Sequence, residues 1–264
     1  LTEGGCLFNS HIDGHEFFLG PRESMAVQRL LGSDIAMVFD ECLPYPCERG
    51  RAERSVEQTL RWAAASKEQP HAEGQQVFGI VQGGVYDDLR RHCAQELVKI
   101  GFDGYAVGGV SVGEPEESMY GAVEAAVPHL PDDAPRYVMG LGVMHQMAEC
   151  IARGVDMFDC VIPTRVARHG TAVTRGGNIA IKAAKYARDP SPVEEGCDCY
   201  CCRNFTRAYV RHLLAAGEIL GLHLLTLHNL YALNRFMEDA RAAIAADAYG
   251  EFLENLRKTR KEAR

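Results

Sequence analysis

Beyond residue 22, short apolar runs bounded by glycine alternate with longer stretches whose apolar residues fall at helical spacing, repeating every roughly 20 to 40 residues. The runs DIAMVFD (34–40), QVFGIVQ (76–82), GYAVGG (104–109), RYVMGLG (136–142) and DMFDCVI (156–162) predict five buried strands. Between them, RSVEQTLRWAAASKE (54–68) and DDLRRHCAQELVKIG (87–101) predict helices, the second closed by Gly101. Such an alternation is the pattern of βα units around a parallel sheet. The opening LTEGGCLFNSHIDGHEFF reads as a hairpin already under way, and the first residue is Leu rather than Met. After Asp159 the rhythm changes. GTAVTRGGNIAIKAA (170–184) predicts a hairpin turning at Gly176 and Gly177, and residues 207–244 are strongly helical, with interruptions expected near Gly217 and Gly221.

A closed (β/α)8 barrel needs eight strands and about 250 residues, so a barrel reading places about three units upstream of Leu1. An open doubly wound sheet is the rival and needs no missing part. The polar residues separate the two. Asp40, Gln82, Gly108, Gly109, Gly140 and Asp159 all fall at the C-terminal ends of their strands. In a barrel those ends converge on one mouth, where catalytic groups belong. In an open sheet they spread along an edge. The expected architecture is therefore a TIM barrel lacking its N-terminal strands: residues 1–169 form its C-terminal, catalytic part, and residues 170–264 a hairpin, a zinc-binding subdomain and closing helices.

With 264 residues, 47% of them hydrophobic, the chain is large enough for a full core. Neither a membrane-length apolar run nor a charged-then-apolar signal segment is present in the sequence, and a cytoplasmic location is expected. Thiols stay reduced there, so Cys6, Cys42, Cys47, Cys93, Cys150 and Cys160 are not expected to form disulfides. CDCYCC (197–202) packs four of the ten cysteines into six positions. Structural zinc takes four thiolate or imidazole ligands in a tetrahedron. Cys197, Cys199 and Cys202 supply three within one tight turn, His228 can supply the fourth, and Cys201 is left over. A redox pair of Cys199 and Cys202 fits less well, because the cluster precedes a helical hairpin rather than sitting in a βα unit. The zinc is expected to be structural, pinning the helices that follow.

Together, GSDIAMVFDEC (32–42), FGIVQGG (78–84), GFDGYAVGGVSVGE (101–114), GVDMFDCVIPTRVARHG (154–170) and the Cys-x-Cys-x-x-Cys cluster with its later His resemble the queuine tRNA-ribosyltransferase (tRNA-guanine transglycosylase) family, in the family's order. The resemblance implies a (β/α)8 barrel with a zinc-bearing insertion. It also implies exchange of guanine at the anticodon wobble position for a deazaguanine base. Breaking a ribose-to-base bond builds oxocarbenium character at the sugar carbon, which a carboxylate beneath it can trap covalently. Asp159 matches the family's nucleophile. Asp40 matches the residue that accepts hydrogen bonds from the base, Gln82 can donate its amide, and the Gly109 amide can reach O6, with Gly108 beside it. Met139 resembles the residue that stacks on one face of the base, and Cys42 belongs to the same substrate-binding set. Val110, Ser111 and Glu114 occupy the loop that meets the aminomethyl group of the incoming base through a backbone carbonyl held by the Glu. Val112 resembles the bacterial form, which implies 7-aminomethyl-7-deazaguanine as the incoming base. Bacterial members are homodimers, and Phe205, Tyr209 and His212 share one helical face after Cys202.

The formal charge of −8 argues against an indiscriminate nucleic-acid binder. Residues 163–188 nevertheless hold Arg165, Arg168, Arg175, Lys182, Lys185 and Arg188 and no acid. Arg165 and Arg168 match the family's anticodon-loop contacts; the C-terminal RKTRKEAR reads as a fraying helix end. The family's upstream Asp-Ser-Gly-Gly-aromatic-Gln stretch, which carries a second catalytic Asp, is absent from these 264 residues, so little exchange is expected of them alone. The alternatives are a non-catalytic accessory subunit or tRNA-binding module of the same fold, and a small-molecule enzyme on an open α/β sheet.

Overall fold

The computed structural model describes residues 2–262; Ala263 and Arg264, which end the RKTRKEAR segment, lie outside the described residues. The chain divides into two compact units, one running to Leu141 together with Arg153–Asp159, the other comprising Gly142–Ala152 and the chain from Cys160 onward.

The first unit begins with the antiparallel hairpin β1 (Cys6–Asn9) and β2 (Glu16–Leu19). Then follow α1 (Pro21–Leu31), β3 (Ile35–Met37), α2 (Arg49–Lys67), β4 (Gln76–Val81), α3 (Asp87–Ile100), β5 (Gly104–Val107), α4 (Glu116–Ala126), β6 (Arg136–Val138) and β7 (Met157–Phe158). Strands β3 to β7 pair in parallel and in strict chain order. A doubly wound sheet reverses its strand order at a switch point; none of these five strands does so. Right-handed crossovers between strands that succeed one another put α2, α3 and α4 on one face. Residues 77–81 and 104–107 are buried throughout, as strands covered on both sides must be. The result is a parallel half-barrel sheet.

The strands are shorter than their apolar runs. DMFDCVI contributes only Met157 and Phe158 to the ladder, because Asp159 leaves it to accept the Gly140 N–H and the Tyr137 hydroxyl. Helix α2 starts five residues before the apolar periodicity does. Its first turn is polar, with Arg49 paired to Glu53 at 2.9 Å, and offers no apolar face to read. Helix α3 carries Asp87 and Asp88 in its first turn and Lys99 in its last, matching the helix dipole, and ends at Gly101 with φ 83°.

The second unit holds α5 (Met144–Ile151), α6 (Ile162–Arg168), the hairpin β8 (Thr171–Thr174) and β9 (Gly177–Ala180), α7 (Tyr200–Asn204), α8 (Arg207–Ala216), α9 (Ile219–Ala245) and α10 (Tyr249–Glu262). Its core gathers Ala172, Ile181, Val193, Leu213, Leu224 and Leu225 around the buried cysteines. Thr206 caps α8 by accepting the Tyr209 N–H, and Gly217 ends it in the left-handed region with φ 76°. The break expected at Gly221 does not occur. Gly221 lies inside α9, and a Cβ there would stand 2.9 Å from Leu213 Cβ, so this glycine serves the close approach of α9 to α8. Among the described residues no helix is long and apolar enough to cross a membrane. None of the ten cysteines is in a disulfide.

Candidate functional site

The register of the parallel sheet fixes where the strand-end residues stand. Val81 pairs with Val107, Val107 with Val138, and Val138 with Phe158. Extended by one residue, that register lines up Gln82, Gly108, Met139 and Asp159 across β4 to β7, with Asp40 beyond the same end of β3. Asp40 and Gln82 meet directly: Gln82 Nε2 donates to Asp40 Oδ2 at 2.7 Å. Gln82 is only 2% exposed, so its amide is held rather than solvated. Burial pushes the Asp40 carboxyl above its ordinary range, against the Gln82 bond that lowers it.

Gly108 and Gly109 are glycines because Gln82 lies against them. A Cβ at Gly108 would sit 2.6 Å from Gln82 Nε2 and from Ile80 Cγ2, and one at Gly109 2.4 Å from Gln82 Oε1; Gly109 also has φ 61°. The Cys42 thiol faces the Gly109 N–H, and burial, then the Asp40 charge, raises its pKa. Val110 is buried, whereas Ser111 is exposed with φ 60°. The Glu114 carboxylate takes the Ser111 N–H at 2.5 Å and the Val112 N–H at 2.8 Å. In the trans peptide joining residues 110 and 111, the Val110 carbonyl therefore points away from Glu114.

At the other end of the row, Asp159 Oδ1 accepts the Tyr137 hydroxyl at 2.5 Å and the Gly140 N–H at 2.8 Å. Oδ2 has no hydrogen bond among the described residues. Burial first, and the neighbouring carboxylate second, push the Tyr137 phenol far up, so it remains a donor at every pH of interest. Sequence reasoning missed Tyr137, although it lies two residues before Met139 and so on the same face of β6. It also missed Arg90, a fully buried arginine on α3 hydrogen-bonded to the carbonyls of Gly84, Gly108 and Gly109. Its position was legible: residues 90, 93, 94 and 97 form the buried stripe of α3, and an arginine on such a stripe requires a reason.

In the second unit, Cys197, Cys199, Cys202 and His228 bring one ligand atom each to within 4.8 Å of one another. His228 Nδ1 lies 3.7, 3.5 and 3.4 Å from the three sulfurs. A tetrahedral Zn2+ with bonds of about 2.3 Å to sulfur and about 2.0 Å to nitrogen sets that separation at about 3.5 Å, so the four residues fit the ion. The other ring nitrogen, Nε2, lies 3.1 Å from the Val173 carbonyl, which fixes the tautomer that leaves Nδ1 a lone pair. The hydrogen bond from the Cys202 thiol, and then His228, lower the Cys199 pKa against the burial that raises it. Cys201 is buried outside the ligand set. Next in sequence, Asn229 accepts the Val173 N–H and donates to the carbonyls of Pro163 and Thr171, tying α9 to α6 and β8.

Arg165 and Arg168 are exposed on α6, with neither side chain in a hydrogen bond or ion pair among the described residues. Arg175 instead pairs with Asp239, and Lys185 lies over the Tyr186 ring at 5.0 Å. Phe205 stacks on Tyr209 at 5.3 Å and meets Tyr200 edge-on, with Tyr200 and Tyr209 exposed.

The family model for queuine tRNA-ribosyltransferase matches residues 1–262. The queuine tRNA-ribosyltransferase of Pelotomaculum thermopropionicum is 54% identical over 244 residues, 92% of this chain and 66% of that protein. That of Symbiobacterium thermophilum is 54% identical over 254 residues, 96% of this chain and 63% of its own. That of Desulforamulus reducens is 49% identical over 258 residues, 98% of this chain and 70% of its own. The chain thus spans 63% to 70% of the length of these relatives. By the extent of these matches, the chain belongs to the queuine tRNA-ribosyltransferase family.

Proposed function

We propose that these residues carry the base-exchange site of a tRNA-guanine transglycosylase, which replaces guanine at the anticodon wobble position with 7-aminomethyl-7-deazaguanine. The observation that carries this reading is the row at the C-terminal edge of the sheet. A purine-binding end, Asp40 joined to Gln82 beside Gly108 and Gly109, is followed in the same register by a carboxylate with one oxygen tied and the other free. An extruded guanine presents its N1–H and amino group to Asp40 and O6 to the Gln82 and Gly109 donors, with Met139 against one ring face and Cys42 at its edge. Asp159 Oδ2 attacks the ribose C1′ as the C1′–N9 bond breaks, and the electron pair leaves on the purine, which takes up a proton. The incoming base then gives up its N9 proton and attacks C1′, and the C1′–Oδ2 bond breaks to return the carboxylate. Two inversions restore the original stereochemistry. The Val110 carbonyl, turned away from the Glu114 side of its peptide, accepts from the aminomethyl group of the incoming base. The proton shuttle is the second Asp that the resemblance assigns to the family's upstream stretch.

In this reading the five parallel strands are part of a closed eight-stranded barrel, with residues 1–169 its catalytic part. Cys197, Cys199, Cys202 and His228 would hold zinc, whose chemistry there is structural: four bonds that fix the CDCYCC turn to α9. Arg165 and Arg168 bind phosphates of the anticodon loop, and the face bearing Phe205, Tyr209 and His212 joins two copies in a homodimer. The test is incorporation of labelled guanine into tRNA by this chain and by a longer chain that carries it. Exchange that disappears in Asp159→Ala while tRNA binding persists supports the reading. Binding without exchange in every form favours the accessory-subunit alternative.

A further inference from the structure

Arg90 is fully buried, and no carboxylate lies within ion-pair distance of it among the described residues. Burial lowers its pKa only to about 10, which leaves it charged at neutral pH. Its donors are spent on main-chain carbonyls: Nε on Gly84 at 2.7 Å, one terminal nitrogen on Gly108 at 3.0 Å and Val81 at 3.5 Å, the other on Gly109 at 3.2 Å. A guanidinium without a carboxylate inside a protein is costly, and simple packing would be served better by an apolar side chain.

The two glycine carbonyls reveal what the charge does. In a trans peptide the C=O and N–H point in opposite directions. Anchoring the Gly108 carbonyl to Arg90 therefore aims the Gly109 N–H away from it, and anchoring the Gly109 carbonyl does the same for the Val110 N–H. The Gly109 N–H meets the Cys42 sulfur, a weak acceptor that a ligand oxygen displaces, and the Val110 N–H has no partner among the described residues. A carbonyl that accepts from a cation also polarises its own peptide and strengthens the N–H at the other end. Arg90 thus stands behind two adjacent, aligned amide donors, the arrangement that stabilises charge on an oxygen.

We propose that Arg90 is a positioning and specificity residue, which turns the Gly109 and Val110 amides into a polarised donor pair for the 6-oxygen of the bound purine and so selects 6-oxopurines. The proposal rests on the base-site reading above. As the glycosidic electron pair moves into the departing purine, part of the charge reaches that oxygen, and the same pair stabilises it.

The test compares guanine with 6-thioguanine, which keeps N1–H and the amino group but offers a poorer acceptor, by equilibrium dialysis with labelled bases. Wild type is expected to hold guanine about tenfold more tightly, the difference between a charge-assisted and an ordinary hydrogen bond. In Arg90→Gln the ratio should fall towards one, chiefly through guanine, and Arg90→Lys should recover part of it. A folded Arg90→Gln chain with an unchanged ratio, or with both affinities reduced equally, overturns the proposal. If the variants fail to fold, amide spectra of the 15N-labelled wild-type chain decide. The Gly109 and Val110 protons should move downfield with guanine and less with 6-thioguanine, and unmoved resonances overturn it. If wild type binds neither base, the base-site reading itself fails; if Asp40→Asn abolishes binding while Arg90→Gln leaves the ratio intact, only the role of Arg90 falls.

Discussion

Replacing Gly109 by alanine probes the most crowded point of the candidate site. Two effects add. The residue has φ 61°, and a Cβ in the left-handed region costs about 1–2 kcal/mol. That Cβ would also lie 2.4 Å from Gln82 Oε1, nearly 1 Å inside van der Waals contact. Oε1 is the far end of a flexible side chain, but Gln82 is 2% exposed and its Nε2 holds Asp40, so moving it breaks the 2.7 Å bond to a half-buried carboxylate. Losing a hydrogen bond to a charged group costs about 1.5–3 kcal/mol, which brings the total to about 2.5–5 kcal/mol. With a urea slope of about 2.5 kcal/mol/M, the unfolding midpoint should fall by about 1.5 M, and guanine binding should be lost with it. Gly121→Ala is the matched control: it lies within α4 with nothing within 4 Å of the new Cβ, and should be neutral or gain up to about 1 kcal/mol. A loss of less than about 1 kcal/mol in Gly109→Ala, with guanine affinity intact, would refute the argument that Gln82 is locked against this loop.

Metal analysis of the purified chain should give zinc at one equivalent, retained in Cys201→Ser and lost in His228→Ala, and chelation should lower the melting temperature of the second unit. Guanine affinity should be flat near neutral pH and fall on acidification about tenfold per pH unit. The fall should set in above the ordinary Asp value of 3.8, because the raised Asp40 carboxyl protonates early and a protonated Asp40 no longer accepts from the base. The same shift means that Asp40 favours folding only below its unfolded pKa, an advantage lost as pH rises through the folded one; Asp40→Asn should therefore stabilise the free chain at pH 7 relative to pH 3. Replacing both Arg165 and Arg168 by alanine should reduce the salt slope of tRNA binding by about 0.7 to 0.9 per arginine, equally for tRNAs of different sequence, and leave guanine binding alone.

The residues at strand ends were legible because a parallel strand announces itself by an apolar run and stops where the chain turns polar; Gln82 and Asp159 each fall at such a point. The grouping of Cys197, Cys199 and Cys202 was legible from their spacing within one turn, and His228, the imidazole offered as a fourth partner, does meet them. Element ends were less so. The ladder of β7 closes after Phe158 because Asp159 is drawn to Gly140 and Tyr137, partners that no local pattern reveals. Gly221 reads as a helix breaker but is a packing glycine, since the Leu213 side chain that requires it comes from a different helix. Arg90 shows the same limit. Its charge suggests solvent, whereas its place is set by the carbonyls of Val81, Gly84, Gly108 and Gly109, at and beyond the ends of β4 and β5, acceptors that no apolar periodicity reveals.

The most direct measurement is the site of covalent attachment. This chain, or a longer chain that carries it, is incubated with an anticodon hairpin, quenched in denaturant, digested and mapped by mass spectrometry. A ribosyl ester on the peptide containing Asp159, absent in Asp159→Ala and discharged by 7-aminomethyl-7-deazaguanine, is the predicted result. An adduct on any other residue, or base exchange that continues in Asp159→Ala, would contradict it.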